Sequence, residues 1–329
     1  CYGRGGERPA VTDADLILGK LDPDNFAGGS IKLAKVDSNK ALLTVLGVPL
    51  DMDAETAAFG LAEVVDENMA NAARVHAVEN GEDLSEYTMI AFGGAAPLHA
   101  GRLCEKLGVA RLLVPTGAGV GSAIGFLRAP FSFEANRSVY MRLSHFDGDV
   151  IKSLLSDLQS EATGFVRTCD ATSDIISEFK VYMRYAGQGW EIPVALTEAQ
   201  AMNPDAATFQ RLFEEDYTKL FGRTVTGMDI EITVWSVNAT TPPEKVARVA
   251  EATAGEAAKA VSNRALFDAG LGHALPADVI NRDTMTTGQT VQGPAIITED
   301  ETTIIVPSTR RAIAHPDGTI ELTLKGAIS

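Results

Sequence analysis

Hydrophobic and polar residues change their spacing several times along the chain, and each change marks an element. Residues 1–50 are rich in turn formers (Gly5-Gly6, Asp22-Pro23-Asp24, Gly28-Gly29), with room for one short helix over 12–20 capped by Thr12 or Asp13. From Asp53 the spacing turns helical. Ala57, Leu61, Ala62, Val65, Met69, Ala72 and Ala73 recur with a 3.6-residue period, Asp53 can cap, Glu55 sits in the first turn, and Gly81 stops the run. A strand over 88–92, a Gly-Gly turn, a helix over 97–107 stopped by Gly108, and a strand over 111–114 closed by Pro115 then form a βαβ unit, whose strands should be parallel. The small residues of 117–125 allow close backbone approach, either to a helix or to a ligand.

After Pro130 the texture shifts. The pattern predicts a helix over 150–168, strands over 178–185 and 191–194 around Ala186-Gly187-Gln188-Gly189, a helix over 207–221 and an alternating strand over 229–237. Pro242-Pro243 opens an Ala/Glu/Lys-rich connector. Short strands punctuated by Gly and Pro follow, over 293–297, 302–306, 311–314 and 319–324. The expected division is 1–130, an α/β domain; 131–245, an α+β domain; and 246–329, a connector with a β-rich carboxyl-terminal domain.

Composition narrows the function classes. The net charge of −16 is spread along the chain, which argues against nucleic acid, since phosphate-binding surfaces need clustered Lys and Arg. No apolar run approaches the ~20 residues that span a bilayer, and the amino terminus has no basic-then-apolar signal pattern. Cys1, Cys104 and Cys169 lack metal or redox spacing, and their odd number suits reduced thiols in a cytoplasm. The chain opens on Cys1 and a Gly-rich turn, which reads as an excerpt of a longer polypeptide. A catalytic amino-terminal cysteine is the alternative, with no companion base identifiable.

Four features could carry chemistry. Phe92-Gly93-Gly94-Ala95-Ala96 lies where ligands of α/β sheets bind, beyond a strand's carboxyl end and before a helix. Two absent Cβ atoms let a flat base or a ribose lie on the backbone, and helix amides can meet a polar group; a tight turn with no ligand explains the same residues. Neither a G-x-G-x-x-G fingerprint nor a phosphate-loop pattern occurs, which weakens a nicotinamide dehydrogenase reading. His99 could shuttle protons at a ligand or be satisfied by helix-terminal backbone, and Cys104 reads as a small buried hydrophobe. The loop 184–191, with Arg184, Gln188 and Trp190, suits a substrate-facing or interface loop, or a plain hairpin. Arg128, Glu134 and Arg137 could form ion pairs at a domain joint. The remaining histidines are scattered, and no protein metal site is indicated.

Cys1-Tyr2-Gly3-Arg4-Gly5-Gly6 with Val11-Thr12-Asp13-Ala14, then Phe92 to Ala100, then Gly293-Pro294-Ala295-Ile296-Ile297 closely resemble the hydantoinase A/5-oxoprolinase family. Val114-Pro115 with Gly119-Val120 and Ser122-Ala123, and Arg184-Tyr185 with Gly187-Gln188, fit the same pattern in order over nearly the whole chain. The resemblance implies part of an actin/Hsp70/sugar-kinase-like (ribonuclease H-like) nucleotide fold, with a β-rich carboxyl-terminal region. It implies an ATP-dependent hydrolase of cyclic amides such as hydantoins or 5-oxoproline, with acetone and acetophenone carboxylase subunits as relatives and a non-catalytic assembly half as the remaining alternative. Phosphorylating an amide or enolate oxygen makes a poor electrophile or leaving group a good one, so one ATP scaffold serves both reactions. Phe92, Gly93, Gly94, Ala95 and Ala96 correspond to the adenosine-side motif. No D-x-G-G-T turn precedes Ala91, so the groups holding phosphate and Mg²⁺ are expected in a preceding half of the subunit. A hydantoinase B-type subunit is the expected partner and a small cyclic amide the expected substrate, with neither nucleic acid nor membrane. Ala95-Ala96, where the family commonly has Ala-Gly, adds one methyl beside the base pocket.

Overall fold

The computed structural model describes residues 1–246 and 250–326, so the start of the connector, 247–249, lies outside the described residues. The chain divides into two compact units, Cys1–Leu127 with Ala247–Ser329, and Arg128–Val246. The expected β-rich segment 246–329 thus belongs to the same unit as the βαβ pair, because its strands hydrogen-bond to that pair.

The first unit begins with helices α1 (Val11–Ile17), α2 (Lys35–Leu42) and α3 (Val48–Leu50). The long α4 (Ala54–Asn80) follows, with the Asp53 carboxylate accepting the Thr56 N–H at 2.7 Å and Gly81 ending it at φ +71°. Its buried stripe runs through Ala57, Ala58, Ala62, Asp66, Ala70 and Ala77. Met69, assigned to the inner face by spacing, is exposed. Strand β1 (Thr88–Ile90), helix α5 (Ala96–Leu107), β2 (Arg111–Val114) and α6 (Gly121–Arg128) complete the amino-terminal segment, and β1 and β2 are parallel as expected.

The second unit contains β3 (Ser132–Arg137), β4 (Met141–Arg142), α7 (Gly148–Cys169), β5 (Ile176–Tyr185), β6 (Ile192–Leu196), α8 (Glu198–Met202), α9 (Ala206–Phe221) and β7 (Ile230–Thr240). Its antiparallel sheet runs β3-β7-β5-β6, with β4 also on β7. Alternation turns Phe179, Val181, Met183 and Tyr185 of β5 inward, against Ile151, Leu155 and Leu158 of α7 and Phe209 and Phe213 of α9. The buried Trp235 donates its indole N–H to the Val139 carbonyl at 2.8 Å, and Arg137 pairs with Glu161 rather than with Glu134, which accepts from Ser236.

The chain then supplies β8 (Ser262–Asp268), β9 (His273–Asn281), β10 (Thr290–Gln292), β11 (Ala295–Thr298), β12 (Thr303–Val306), β13 (Arg310–Ala314) and β14 (Ile320–Leu324) to the first unit. One sheet is ordered β1-β2-β14-β13-β10 and the other β12-β11-β9-β8. β14 lies antiparallel to β2, with Leu322 opposite Leu112. The buried Arg310 guanidinium donates to the Val109 and Ala110 carbonyls at 2.6 and 2.9 Å, and Arg282 donates to the Val114 and Gly318 carbonyls while holding Glu299. Nine of these elements were not anticipated: α2, α3, α6, α8, β3, β4, β8, β9 and β10. β3 is mostly exposed and polar (Ser-Phe-Glu-Ala-Asn-Arg), and β9 carries Pro276 in its interior, which reads as a breaker.

Phe213 is fully buried, with its ring centroid 5.0 Å from that of Tyr185 and 5.4 Å from that of Tyr217. Phe213→Ala is expected to destabilise the protein by about 3–5 kcal/mol, measured by urea denaturation; a loss under about 1 kcal/mol would contradict this packing of α9 on the sheet.

Candidate functional site

The turn between β1 and α5 is shaped by its glycines. Gly93 takes φ +112°, which side chains rarely adopt, and donates its N–H to the Ala118 carbonyl at 2.6 Å. Ala95 is the N-cap of α5 and gives it no side-chain acceptor. The Ala118–Val120 turn approaches the β11–β12 turn so closely that a Cβ on Gly119 would lie 2.3 Å from the Glu301 Cβ. Thr302 ties the two segments together, its hydroxyl donating to the Gly94 carbonyl at 2.8 Å.

These segments border a groove of about 760 Å³. Gly94, Ala95, Gly119 and Val120 line it together with residues 298–303 and, from the first fifty residues, Tyr2, Asp15, Asp22, Asn25 and Phe26. The Tyr2 and Phe26 rings meet edge to face at 6.0 Å. Asp15, Asp22, Glu299, Asp300 and Glu301 give the lining five carboxylates, and among the described residues no Lys or Arg lines it. Burial pushes the Glu299 carboxyl up, while Arg282, 3.0 Å from each of its oxygens, opposes that rise. Three of the five carboxylates are paired with cations outside the lining: Asp15 with Lys20 and His99, Asp22 with Arg264, and Glu299 with Arg282.

His99 lies beneath this groove in a buried ionic cluster. Its Nδ1 is 2.9 Å from Asp66 Oδ1 and its Nε2 is 3.2 Å from Asp15 Oδ2, while Lys20 Nζ is 2.8 Å from the other oxygen of Asp15. Burial alone would lower the imidazole pKa, but the hydrogen bonds to Asp15 and Asp66 overturn this and raise it to about 9. Burial likewise works against the Asp15 carboxylate; the His99 hydrogen bond and the Lys20 charge prevail and hold it below its usual range. Two carboxylates and two cations therefore close an electrically balanced set joining α1, α4 and α5. Both imidazole nitrogens are engaged, so His99 is a structural cation whose partner Asp15 faces the groove.

The other residues singled out from the sequence fall in different places. Of the five motif residues, Gly94 and Ala95 line the groove. Phe92 is 55% exposed and packs against Gly121, Gly93 forms the turn, and Ala96 starts α5 against the core. Arg184 and Gln188 belong to the second unit, apart from the first unit's groove residues in the division of the chain. There Arg184 Nε donates to Glu231 at 3.1 Å and Gln188 donates to the Tyr217 hydroxyl at 2.9 Å, which makes both of them internal ties. Burial pushes the Cys104 thiol up to about 11, so it stays protonated at neutral pH. Sequence reasoning missed Asp15, Asp66, Asn25 and Phe26; a carboxylate on the inner face of an otherwise Ala-rich helix was the available signal for Asp66.

Comparisons with known proteins bear on the family and the fold. The hydantoinase/oxoprolinase family model matches residues 1–135, and the hydantoinase/oxoprolinase C-terminal domain matches residues 145–318. The chain is 29% identical over 329 residues to the caprolactamase subunit alpha of Pseudomonas jessenii, covering 98% of this chain and 47% of that one. It is 26% identical over 331 residues to the acetone carboxylase beta subunit of Xanthobacter autotrophicus, covering 93% and 45%. A nucleotide-free structure of acetone carboxylase superposes with a TM-score of 0.79 at 22% identity, over 98% of this chain and 48% of that chain, which establishes the α/β fold. The chain spans about half the length of the curated relatives it matches.

His99→Gln is expected to destabilise the protein by about 3–5 kcal/mol, because Asp66 is left buried without its cation. The folded-state pKa of about 9 exceeds the ordinary 6.5, so this stabilisation is complete below about pH 6.5 and is lost as pH rises through 9. Asp15 adds stability with the opposite pH dependence, lost in acid as the pH falls through the carboxylate range. Melting curves from pH 6 to 10 test this; parallel pH profiles for the wild type and His99→Gln would refute the ion-paired imidazolium. Gly119→Ala should cost about 1–3 kcal/mol through its clash with Glu301, and an unchanged unfolding midpoint would refute the close approach.

Proposed function

This chain belongs to the hydantoinase/oxoprolinase family, and from that premise we propose that it forms the carboxyl-side part of an ATP-dependent hydrolase subunit that opens cyclic amides of the hydantoin, 5-oxoproline or lactam kind. One observation carries the reading. Gly94 and Ala95 open onto a groove of about 760 Å³ whose lining is aromatic, amide-bearing and acidic, with no cation among its described residues. An adenosine suits that lining, and a triphosphate does not. The base lies on the Gly94–Ala95 backbone, Tyr2 and Phe26 offer aromatic surface, and Asn25 can both donate to and accept from the edge of an adenine.

When bound, ATP supplies the phosphoryl group that activates the amide oxygen. The residues of this chain hold the nucleoside end and exclude water from it, while the Asp15–His99–Asp66 cluster fixes the helices on which they sit. Among the described residues no three His, Cys, Asp or Glu side chains converge as a metal site. In this reading Mg²⁺ and the phosphates are held mainly by the preceding half of the subunit, as the family resemblance implies.

A second reading, a ketone carboxylase subunit, is favoured by the similarity to the acetone carboxylase beta subunit over 93% of the chain. The deciding experiment uses the complete subunit assembled with a hydantoinase B-type partner. Phosphate release should depend on a cyclic amide and not on bicarbonate, whereas turnover requiring both ketone and bicarbonate would favour the carboxylase. Gly94→Trp places a bulky side chain in the groove and should weaken ATP binding by about tenfold or more, read by calorimetry at an unchanged melting temperature. Undiminished binding would remove the nucleoside from this groove.

A further inference from the structure

We propose that Glu299 sets the base specificity of the groove by accepting a hydrogen bond from the 6-amino group of a purine, and that Arg282 is its positioning residue. The inference rests on the reading of the groove as a nucleoside site, and it names the side chain that selects the base.

Glu299 opens the β11–β12 turn, and its N–H donates to the Thr302 carbonyl at 3.1 Å. The Thr302 hydroxyl in turn donates to the Gly94 carbonyl at 2.8 Å, and a Cβ built on Gly94 would lie 3.6 Å from the Glu301 carbonyl oxygen. A flat base resting on Gly94 and Ala95 therefore has this turn at its edge.

Glu299 differs from the other carboxylates of the lining. Asp15 has its two oxygens on His99 and Lys20, Asp22 is half-exposed, and Asp300 and Glu301 are exposed. The Glu299 side chain is only 10% exposed yet lines the groove, with each oxygen 3.0 Å from Arg282 Nη1. Arg282 is itself immobilised, because its Nη2 donates to the Val114 and Gly318 carbonyls at 3.0 and 2.9 Å. The pair is thus fixed from outside the groove before any ligand arrives. A carboxylate can accept about four hydrogen bonds, and Arg282 uses two of them, which leaves acceptor capacity for the groove. An ionised carboxylate cannot donate, so it favours a 6-amino group and opposes a 6-oxo group at the same place. Asn25 can rotate to serve either kind of base, and discrimination falls to the acceptor that cannot turn.

Calorimetry on the complete subunit tests this with ATP, inosine triphosphate (6-oxo) and purine riboside triphosphate (hydrogen at position 6). The wild type should bind ATP about tenfold or more tighter than either analogue. In Glu299→Gln the amide oxygen stays on Arg282 and the amide NH₂ turns to the groove, so the margin over inosine triphosphate should fall below about threefold. Arg282→Met leaves the burial of Glu299 unopposed, and Asp283 and Glu301, the other charged groups acting on it, push its carboxyl up as well. The ATP margin of that variant should therefore shrink from about pH 8 to about pH 6, whereas the wild-type margin holds; a merely structural arginine would not move this profile. Glu299→Gln conserves shape, so the test stands whether or not Arg282→Met folds. Equal binding of the three nucleotides by the wild type, or an undiminished margin in Glu299→Gln, overturns the role of Glu299 and leaves the groove reading intact. Absence of binding of all three would overturn the proposed function, and this role with it.

Discussion

Burying a histidine between two carboxylates is expensive unless every member of the set is present, and that requirement organises the helical side of the first unit. Asp15 comes from α1, Asp66 from α4 and His99 from α5, with Lys20 just beyond α1. Each charge alone would be a buried ion without compensation; together they balance. The Ala-rich inner stripe of α4 is the steric counterpart of the same constraint, because small side chains let α4 approach closely enough for Asp66 to reach the imidazole. Asp15 is shared between this cluster and the groove, so the position of a groove carboxylate is set by contacts made beneath it.

The glycine-rich segments divide their labour in a way that composition hides. Gly93 is required by its backbone conformation, and Gly119 by the proximity of Glu301; neither requirement involves a ligand. Gly94 is different, since its position meets only ordinary contact with the Glu301 carbonyl and otherwise faces the groove. A segment that looks like one nucleotide motif is therefore part turn chemistry, part protein packing and part open surface. The β11–β12 turn carrying residues 299–301 completes the groove lining from more than two hundred residues away in sequence, and it gives that lining three acidic side chains.

Where periodicity and turn chemistry agree, the sequence and the structure coincide closely. α4 is capped by Asp53 and stopped by Gly81, α5 is stopped by Gly108, and β2 spans 111–114 as its pattern requires. What the pattern hides has a physical cause in each case. The inner face of α4 was misphased because Asp66 is charged and buried. β3 looks like a loop because most of its side chains are exposed, and β9 tolerates Pro276 although proline usually ends a strand. The groove residues Asn25 and Phe26 sit in irregular backbone, where no spacing rule applies. The role of His99 was equally hidden, since its two partners lie 84 and 33 positions away.

The seam between β2 and β14 has a consequence for the order in which the molecule can be assembled. Arg111 and Glu321, paired at 2.5 Å, are separated by 210 positions, with the whole of the second unit between them. That second unit is continuous and closes its own core, so it can fold while the chain is still being made. The first unit cannot, because its β1-β2 pair must wait for β13 and β14, which follow the whole of the second unit in sequence. During that interval the two parallel strands are exposed on both sides, and long-range closure of this kind is slow. The groove beside Gly94 therefore takes shape only once residues 298–303, which follow the whole of the second unit in sequence, have been made.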